Sequence, residues 1–240
     1  MERMLIGTHN GAFHCDEVLA IAMLKQLPEY KNAYIMRYRD VQKLVNCNIL
    51  VDAGDIFDAA TNRFDHHQPS FNLTIKDFHP KLEPAVKLSS AGLIYAHFGK
   101  RVITEIAGKL NSDEDLEAVF KPVCYLHLIS FEYLYKDFIS EVDATDNGVP
   151  ISDGATNYLI KTGISTRVRR LNSAWNKDET EMQRFFEALA LVFNELVADV
   201  RHLVDEMLPA KTLVKAALKS HFSVQTSRTI ALQTTQTQIA

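Results

Sequence analysis

The stretch Arg63-Phe64-Asp65-His66-His67-Gln68 sets one acid and two imidazoles side by side, directly after a short apolar approach. Successive side chains of a strand point to opposite faces, so neighbours within a strand do not face one site together. We therefore expect a loop at the strand's end, where Asp65 and His66 can converge. A hard carboxylate beside borderline imidazoles suits a first-row divalent ion such as Mn, Fe or Zn. The alternative is a surface loop with incidental histidines, and the rest of the chain has to decide between the two.

The chain before this stretch alternates strand and helix signals. Apolar segments at 4–7, 34–38 and 49–51 predict strands, the pattern from 15 to 27 predicts a helix, and Arg63-Phe64 predicts a fourth strand. This spacing is typical of a βαβ unit, which favours an α/β fold with a mainly parallel sheet and flanking helices. In open sheets of this kind, sites form beyond the carboxyl ends of the strands.

That rule brings acid and imidazole groups from four segments to one edge of the sheet. The residues are His9, His14, Asp16, Asp52, Asp65 and His66. Each has an ordinary alternative as a loop residue, a helix N-cap or a turn former. One shared metal site accounts for all four segments together better than four separate accidents do. Glu17 lies close by in the sequence, but the expected geometry gives no clear reason to place it in the site. Cys15 is predicted to be a buried thiol.

Two later motifs carry further candidates. Ser89 and Ser90 precede an apolar segment at 93–98 and are predicted to cap that helix or to bind a substrate phosphate, with Gly99 as its stop. Asp143 and Asp146 are three residues apart and would share one face of a helix. Carboxylates at a helix C-terminus oppose the macrodipole, which favours a cation as their partner.

Composition excludes several classes of protein. The chain has 240 residues, 47 % of them apolar, but no run approaches the ~20 apolar residues of a membrane span. Its net charge of −4 argues against adhesion to nucleic acid over the whole surface. The three cysteines match no zinc pattern, and the first ten residues show no signal or transit peptide, so we expect an intracellular protein of the cytoplasm or nucleus.

The C-terminal part looks different from what precedes it. After a linker at 148–156 comes the densest basic cluster, which consists of Lys161, Arg167, Arg169 and Arg170 and is followed by Trp175. Residues 178–208 predict one long amphipathic helix with an apolar stripe of Phe186, Leu189, Phe193, Leu196, Val200, Leu203 and Met207. A homodimer is one way to cover the exposed part of that stripe. Residues 221–240 are rich in Gln, Thr and Ser and are predicted to be disordered.

The motifs taken together are specific. They are Thr8-His9-Asn10-Gly11-Ala12-Phe13-His14-Cys15-Asp16-Glu17, Val51-Asp52-Ala53-Gly54, Arg63-Phe64-Asp65-His66-His67-Gln68, Leu88-Ser89-Ser90-Ala91-Gly92 and Glu141-Val142-Asp143-Ala144-Thr145-Asp146-Asn147-Gly148. The chain closely resembles the melanocyte proliferating-gene exonuclease family, a branch of the DHH phosphoesterase superfamily, over about residues 4 to 218. The resemblance implies a metal-dependent 3′–5′ exonuclease acting on RNA and associated with mitochondria and the nucleus.

The resemblance also implies roles for single residues. It makes His9, Asp16 and His66 metal ligands, Asp52 the bridge between two ions, and Asp143 the residue that completes the second ion's shell. His67 would contact the phosphate, and we place Asp65 beside it in the catalytic group. His14 stands near where other DHH enzymes have an Asp, and we include it among the candidate ligands.

We therefore expect a DHH-type catalytic domain at 1–148, a shortened, mostly helical second region at 149–220, and a tail at 221–240. The expected cofactor is two ions of Mn²⁺ or Mg²⁺, and the expected substrate is RNA or a short oligonucleotide. Ser89, Ser90, Arg167 and Arg169 are the predicted substrate-binding residues. Hydrolysis of small phosphate esters or pyrophosphate, and a non-catalytic protein stabilised by metal, remain the alternatives.

Overall fold

The computed structural model describes residues 3–110, 130–174, 180–211, 213–218 and 220. The chain divides into two compact units, Met1–Val200 and Arg201–Ala240. Trp175 and the predicted tail at 221–240 lie outside the described residues. The predicted domain boundary near residue 148 stays a prediction.

One sheet holds the strands of the described residues. They are β1 (Leu5–Thr8), β2 (Tyr34–Arg37), β3 (Ile49–Val51), β4 (Phe57–Asp58) and β5 (Arg63–Phe64), in the order β2-β1-β3-β5-β4. All neighbouring pairs are parallel except β4 and β5. The prediction of an α/β fold with a mainly parallel sheet is confirmed. β4 was not predicted. Its two residues are too few to show an alternating pattern, and unlike the equally short β5 it is not followed by a motif of acid and imidazole residues that marks a strand end.

Helices pack against the sheet and predominate among the described residues that follow it. In the first unit they are α1 (Cys15–Leu24), α2 (Ile75–Phe78), α3 (Ser90–Leu110), α4 (Ser140–Asp146), α5 (Ile164–Arg169) and α6 (Glu181–Arg201), whose last residue begins the second unit. A π-helical segment, Tyr135–Ile139, runs directly into α4, and another, His202–Met207, follows α6. Helix α1 is buried along its whole length and packs mainly against α3. Within the described residues, no helix combines the length and the apolar character that a membrane span requires.

The buried face of α6 differs from the predicted stripe. Its buried residues are Phe185, Ala188, Val192, Leu196 and Val200. Phe186 is 50 % exposed, so the apolar face begins one residue earlier than the sequence pattern indicated. Two adjacent phenylalanines fit the period equally well, and Ala188 is too small to stand out as a core residue.

The sequence predicted that Gly99 ends α3, and this prediction is wrong. The helix continues to Leu110, and a Cβ on Gly99 would lie 2.7 Å from Tyr95 and 2.8 Å from Phe131. Those two rings are buried and stacked with their centres 4.5 Å apart. Glycine is therefore required here by the close approach of an aromatic pair, not by a turn.

We predict opposite effects for two alanine substitutions in α3. Gly99→Ala should lower the free energy of unfolding by about 1–3 kcal/mol, because the added methyl group overpacks the Tyr95–Phe131 pair. Gly108→Ala is the matched control, since no described atom lies within 4 Å of its Cβ position. It should raise stability by up to about 1 kcal/mol through helix propensity. Urea unfolding of both variants measures this, and a stable Gly99→Ala variant would contradict the packing argument.

Candidate metal centre

The carboxyl ends of three parallel strands and the first turn of α1 meet at one edge of the sheet. β1 ends directly before His9, β3 before Asp52, and β5 before Asp65 and His66. Asp52 has a φ of +54°, in the left-handed region, so the chain turns sharply as soon as the strand ends. The predicted edge therefore exists, and the structure brings these groups together there.

His66 lies among three carboxylates. Its Nε2 atom is 3.2 Å from Asp146 Oδ2, 3.5 Å from Asp52 Oδ1 and 3.7 Å from Asp16 Oδ2. Burial alone would lower the pKa of His66, but hydrogen bonding to Asp146 and Asp52 outweighs it and raises the pKa to about 9. The positive charge of the protonated imidazole offsets the negative charge of these carboxylates, and a metal cation at this place could do the same.

His9 makes the second link across the edge. Its Nε2 atom is 3.2 Å from Glu17 Oε1 and 3.3 Å from Asp52 Oδ2. Burial opposes the positive charge, yet the contacts to Asp52 and Glu17 raise the pKa of His9 to about 10. Asp52 thus faces His9 with one oxygen and His66 with the other. Burial also opposes its ionisation, but hydrogen bonds from the two imidazoles bring its pKa below the usual value.

Asp16 is the group with the least compensation. Its side chain is buried in the first turn of α1, and neither of its oxygens has a hydrogen-bond partner within the described chain. Burial, followed by the charges of Asp52, Asp146 and Glu17, raises its pKa well above the usual value. A buried carboxylate without a donor is rare, since desolvation costs it several kcal/mol. This orphaned pair of oxygens is the local evidence that the site fits a metal ion.

His67 is more exposed than His9 and His66, although its ring centre lies only 4.3 Å from that of His66. Its side chain is 55 % exposed, and its Nδ1 atom lies 2.7 Å from Asp65 Oδ1. Asp65 is itself fixed, because its Oδ2 atom accepts a hydrogen bond from the backbone N–H of Asp55 at 2.7 Å. The Asp65 contact raises the pKa of His67. The pair commits Nδ1 of His67 to Asp65, and the residue lines the open cleft beside the centre.

Asp143 is held away from this cluster by α3. Its Oδ1 atom accepts hydrogen bonds from Ser89 N at 2.9 Å, Ser89 Oγ at 2.6 Å and Gly92 N at 3.1 Å. A carboxylate on the free N–H groups of a helix N-terminus is favourable, and Asp143 therefore caps α3 from a neighbouring helix. Burial still raises its pKa to about 7. A Cβ on Gly92 would collide with this carboxylate, which explains the glycine in the motif.

The two predicted serines hold carboxylates in this structure. Ser89 donates to Asp143, and Ser90 Oγ donates to Asp52 Oδ1 at 3.1 Å. Both side chains are fully buried, so neither hydroxyl is exposed to solvent in this structure, and their role in binding a substrate stays a prediction. The N-terminus of α3, which the sequence offered as a phosphate site, is occupied by Asp143 instead.

Asp146 is the residue of α4 that reaches the centre. It contacts His66, whereas Asp143 belongs to no described group of ligand atoms with metal-binding spacing. Helix periodicity could not separate them, because both residues lie on one face of the helix, and the family resemblance favoured Asp143. Glu17 was also missed as a site residue. Its spacing from His14 is that of a capping box, and both of its oxygens accept the His14 N–H, at 2.9 and 3.0 Å.

The predicted arginines divide between two places. Arg169 lines a cavity of about 250 Å³ together with His14, Asp16 and Asp146, beside the centre. Arg167 pairs with Glu195 of α6, with Nη1 and Oε1 2.9 Å apart.

Cys15, predicted as a buried thiol, is buried, and its pKa is raised to about 12 by that burial.

The loop from His9 to His14 is clamped by residues far along the chain. The buried Arg37 donates to the carbonyls of His9 at 3.2 Å and Gly11 at 3.0 Å, and pairs with Glu181 at 2.6 Å. The same Glu181 oxygen accepts the Gly11 N–H at 2.9 Å. Asn172 completes the clamp by bonding both the N–H and the carbonyl of Phe13, each at 2.8 Å. The position of His9 thus depends on helix α6 and on the segment before it.

Three overlapping sets of side chains in the described chain have the spacing of metal ligands. They are His9, His14, Glu17 and Asp52; Asp52, His66 and His67; and His14, Asp16 and Asp146. Asp52 links the first two sets. Carboxylate and imidazole donors of this kind suit a divalent metal ion.

The comparison with known protein families agrees with the motifs. The family model MYG1_exonuc, described as an uncharacterised protein family (UPF0160), matches residues 5–239. The chain belongs to this family. The predicted resemblance is therefore confirmed at the level of the family.

Relatives from distant organisms share most of this chain. The MYG1 exonuclease of Bos taurus is 41 % identical over 224 residues, which cover 92 % of this chain and 56 % of the relative. The MYG1 exonuclease of Homo sapiens is 40 % identical, with 92 % and 57 % covered. A MYG1 protein of Caenorhabditis elegans is 39 % identical, with 95 % and 64 % covered. The chain thus spans between half and two thirds of these relatives' length. No solved structure matches it.

We predict that substitutions at the two aspartates of α4 have different effects. Asp146→Asn should weaken Mn²⁺ binding roughly tenfold or more, because a charged oxygen beside His66 is lost. Asp143→Asn keeps an oxygen acceptor for Ser89 and Gly92 and should bind Mn²⁺ nearly normally. Asp143→Ala should lower the free energy of unfolding by about 1–3 kcal/mol, because buried donors lose their acceptor. Calorimetric Mn²⁺ titration and urea unfolding in EDTA measure these effects. A larger metal defect in Asp143→Asn would make Asp143 the ligand.

Proposed function

We propose that this chain is the catalytic region of a phosphodiesterase that depends on divalent metal ions and removes nucleotides from the 3′ end of RNA. The observation that carries this proposal is the Asp16 carboxylate, buried without a hydrogen-bond partner beside Asp52, Asp146 and His66. A purely structural cluster would compensate such a group with a hydrogen-bond donor. The name exonuclease, which the Bos taurus and Homo sapiens relatives carry, supports the same class of reaction.

The residues fit two ions of Mn²⁺ or Mg²⁺. His9, His14 and Glu17 would hold one of them, His66, Asp16 and Asp146 the other, and Asp52 would be shared, because its two oxygens face different imidazoles. When bound, such ions supply Lewis-acid stabilisation of the phosphoryl oxygens and a lowered pKa for the attacking water. The protein's own contribution is to fix these oxygens and nitrogens in place through Ser90, Arg37 and Asn172.

His67 and Asp65 form the catalytic pair in this proposal. Asp65 holds Nδ1 of His67 at 2.7 Å, so Nε2 is the atom presented to the substrate. From there it donates a hydrogen bond to a phosphoryl oxygen or gives its proton to the leaving oxygen of the ribose. Its exposure at the rim suits a residue that meets the substrate only when RNA binds.

The finer points of the proposal rest on the family resemblance. It implies RNA as the substrate, 3′–5′ polarity, and mitochondria or the nucleus as the place of action. Arg169, in the cavity beside Asp146, is the candidate for contacting the RNA backbone. A homodimer stays a prediction, and Met182 and Phe186 are the exposed apolar side chains of α6 where a second copy would pack.

The test of this function is turnover of 5′-labelled single-stranded RNA by the full chain with added Mn²⁺. A 3′–5′ exonuclease gives a ladder that shortens from the unlabelled end, and EDTA abolishes it. Pyrophosphate and a small phosphate monoester are assayed alongside. Hydrolysis of these alone would assign the site to small phosphate esters, and metal binding without any turnover would indicate a non-catalytic protein.

We predict that alanine substitutions of His67 and His66 differ in their effect on metal content. His67→Ala should slow turnover ~10²-fold or more while leaving metal content near normal, because His67 acts on the substrate. His66→Ala should lose metal as well as activity, because His66 faces three carboxylates of the centre. Elemental analysis beside the RNA assay separates the two effects. Equal metal loss in both variants would reject the distinction.

A further inference from the structure

A cleft of about 590 Å³ opens beside the metal centre and extends to the carboxyl end of β2. It is lined by His9, Asp52 and His67 from the centre, and by Tyr38 and Arg39 from the two positions after Arg37. β2 is parallel to β1, so its carboxyl end lies at the same edge as the candidate ligands. Neither Tyr38 nor Arg39 belongs to the predicted metal or catalytic set.

Arg39 has no ion pair with any described residue, although acids line the same cleft. Its guanidinium lies over Gly11, with Nη2 3.3 Å from the position that a Cβ on Gly11 would take. The adjacent Asp40 is directed elsewhere and accepts the Gln42 N–H at 3.1 Å. An exposed guanidinium that makes no ion pair with the described residues can bind a phosphate through two parallel N–H hydrogen bonds.

Tyr38 supplies an exposed aromatic ring beside that cation in the sequence. Its backbone N–H donates to Thr8 O at 2.9 Å, which continues the β1–β2 ladder by one residue and anchors the backbone from which the side chain extends. The ring is 36 % exposed, and Lys43 Nζ lies 5.1 Å from its centre. An exposed ring beside positive groups is the usual platform for a nucleic-acid base.

We propose that Tyr38 and Arg39 form a nucleotide subsite of this cleft. Arg39 binds the phosphate next to the one that is hydrolysed, and Tyr38 stacks on the base between them. The inference rests on the proposed phosphodiesterase function and deepens it. It makes the substrate class an oligonucleotide with at least two phosphates, because an ester with one phosphate would leave Arg39 unused.

The experiment compares two RNA substrates, the dinucleoside monophosphate NpN and the trinucleoside diphosphate NpNpN. The trinucleotide adds one phosphate and one base, whichever direction the chain runs through the cleft. Wild type should prefer NpNpN in kcat/KM. Arg39→Gln should reduce that preference roughly tenfold or more, mainly through KM, because charge-assisted hydrogen bonds are lost. Tyr38→Leu should reduce it roughly fivefold or more through the loss of stacking.

Controls separate the subsite from general effects of charge and folding. Arg101→Gln removes an exposed arginine that pairs with Glu29 and does not line the cleft, so it should keep the wild-type preference. Arg39→Lys should keep part of it, because the charge remains and the fork is lost. Thermal unfolding and Mn²⁺ binding of Arg39→Gln should match wild type.

The outcomes distinguish this inference from the function on which it rests. An active wild type whose preference for NpNpN survives in Arg39→Gln would overturn the subsite, and loss of the preference in Arg169→Gln alone would move it to the other cavity. If wild type hydrolyses neither of these substrates nor the labelled single-stranded RNA, the proposed function fails. Affinity for NpNpN, measured by titration without turnover, then tests the subsite by itself, and equal affinity of wild type and Arg39→Gln would reject it.

Discussion

Burial of several carboxylates at one edge of the sheet is the constraint to which the rest of the structure responds. The side chains of Asp16, Glu17 and Asp52 are all buried at this edge. Each charge taken out of water costs several kcal/mol unless a partner compensates it. His9 and His66 supply that compensation here as protonated imidazoles, and both would have to release their protons to become ligands. In the proposed metal-bound state, ion uptake would therefore be coupled to proton release at this edge.

Much of this edge could be predicted from local sequence patterns. The strands at β1, β3 and β5 are short apolar segments followed at once by acid or imidazole residues, and parallel pairing then gathers those residues without further information. Topology alone is enough to place His9, Asp52 and His66 close together. No comparable rule chooses between two residues on one helical face. For Asp143 and Asp146 the choice depends on where α3 begins and what its free N–H groups bind.

Other features depended on packing that no single segment reveals. Glycine is a common helix stop, so its residue type alone predicted the end of α3 at Gly99. The real reason for the glycine is the stacking of Tyr95 on Phe131, a contact between distant segments. Glu17 and Arg39 look like ordinary surface charges in the sequence. Their places in the structure follow from the capping box of α1 and from the sheet order that sets β2 beside β1.

The clamp on the His9–His14 loop sets an order of events during synthesis. Gly11 and Phe13 are separated by 170 and 159 positions from the Glu181 and Asn172 side chains that hold them. At a ribosomal rate of roughly 5–20 residues per second, roughly 8 to 35 s pass before both partners have been made. Until then His9 belongs to a loop without its fixed geometry. If the site binds metal as proposed, an ion captured by the nascent chain would meet donors that are free to rearrange, and discrimination between metals would belong to the finished protein and not to its N-terminal half.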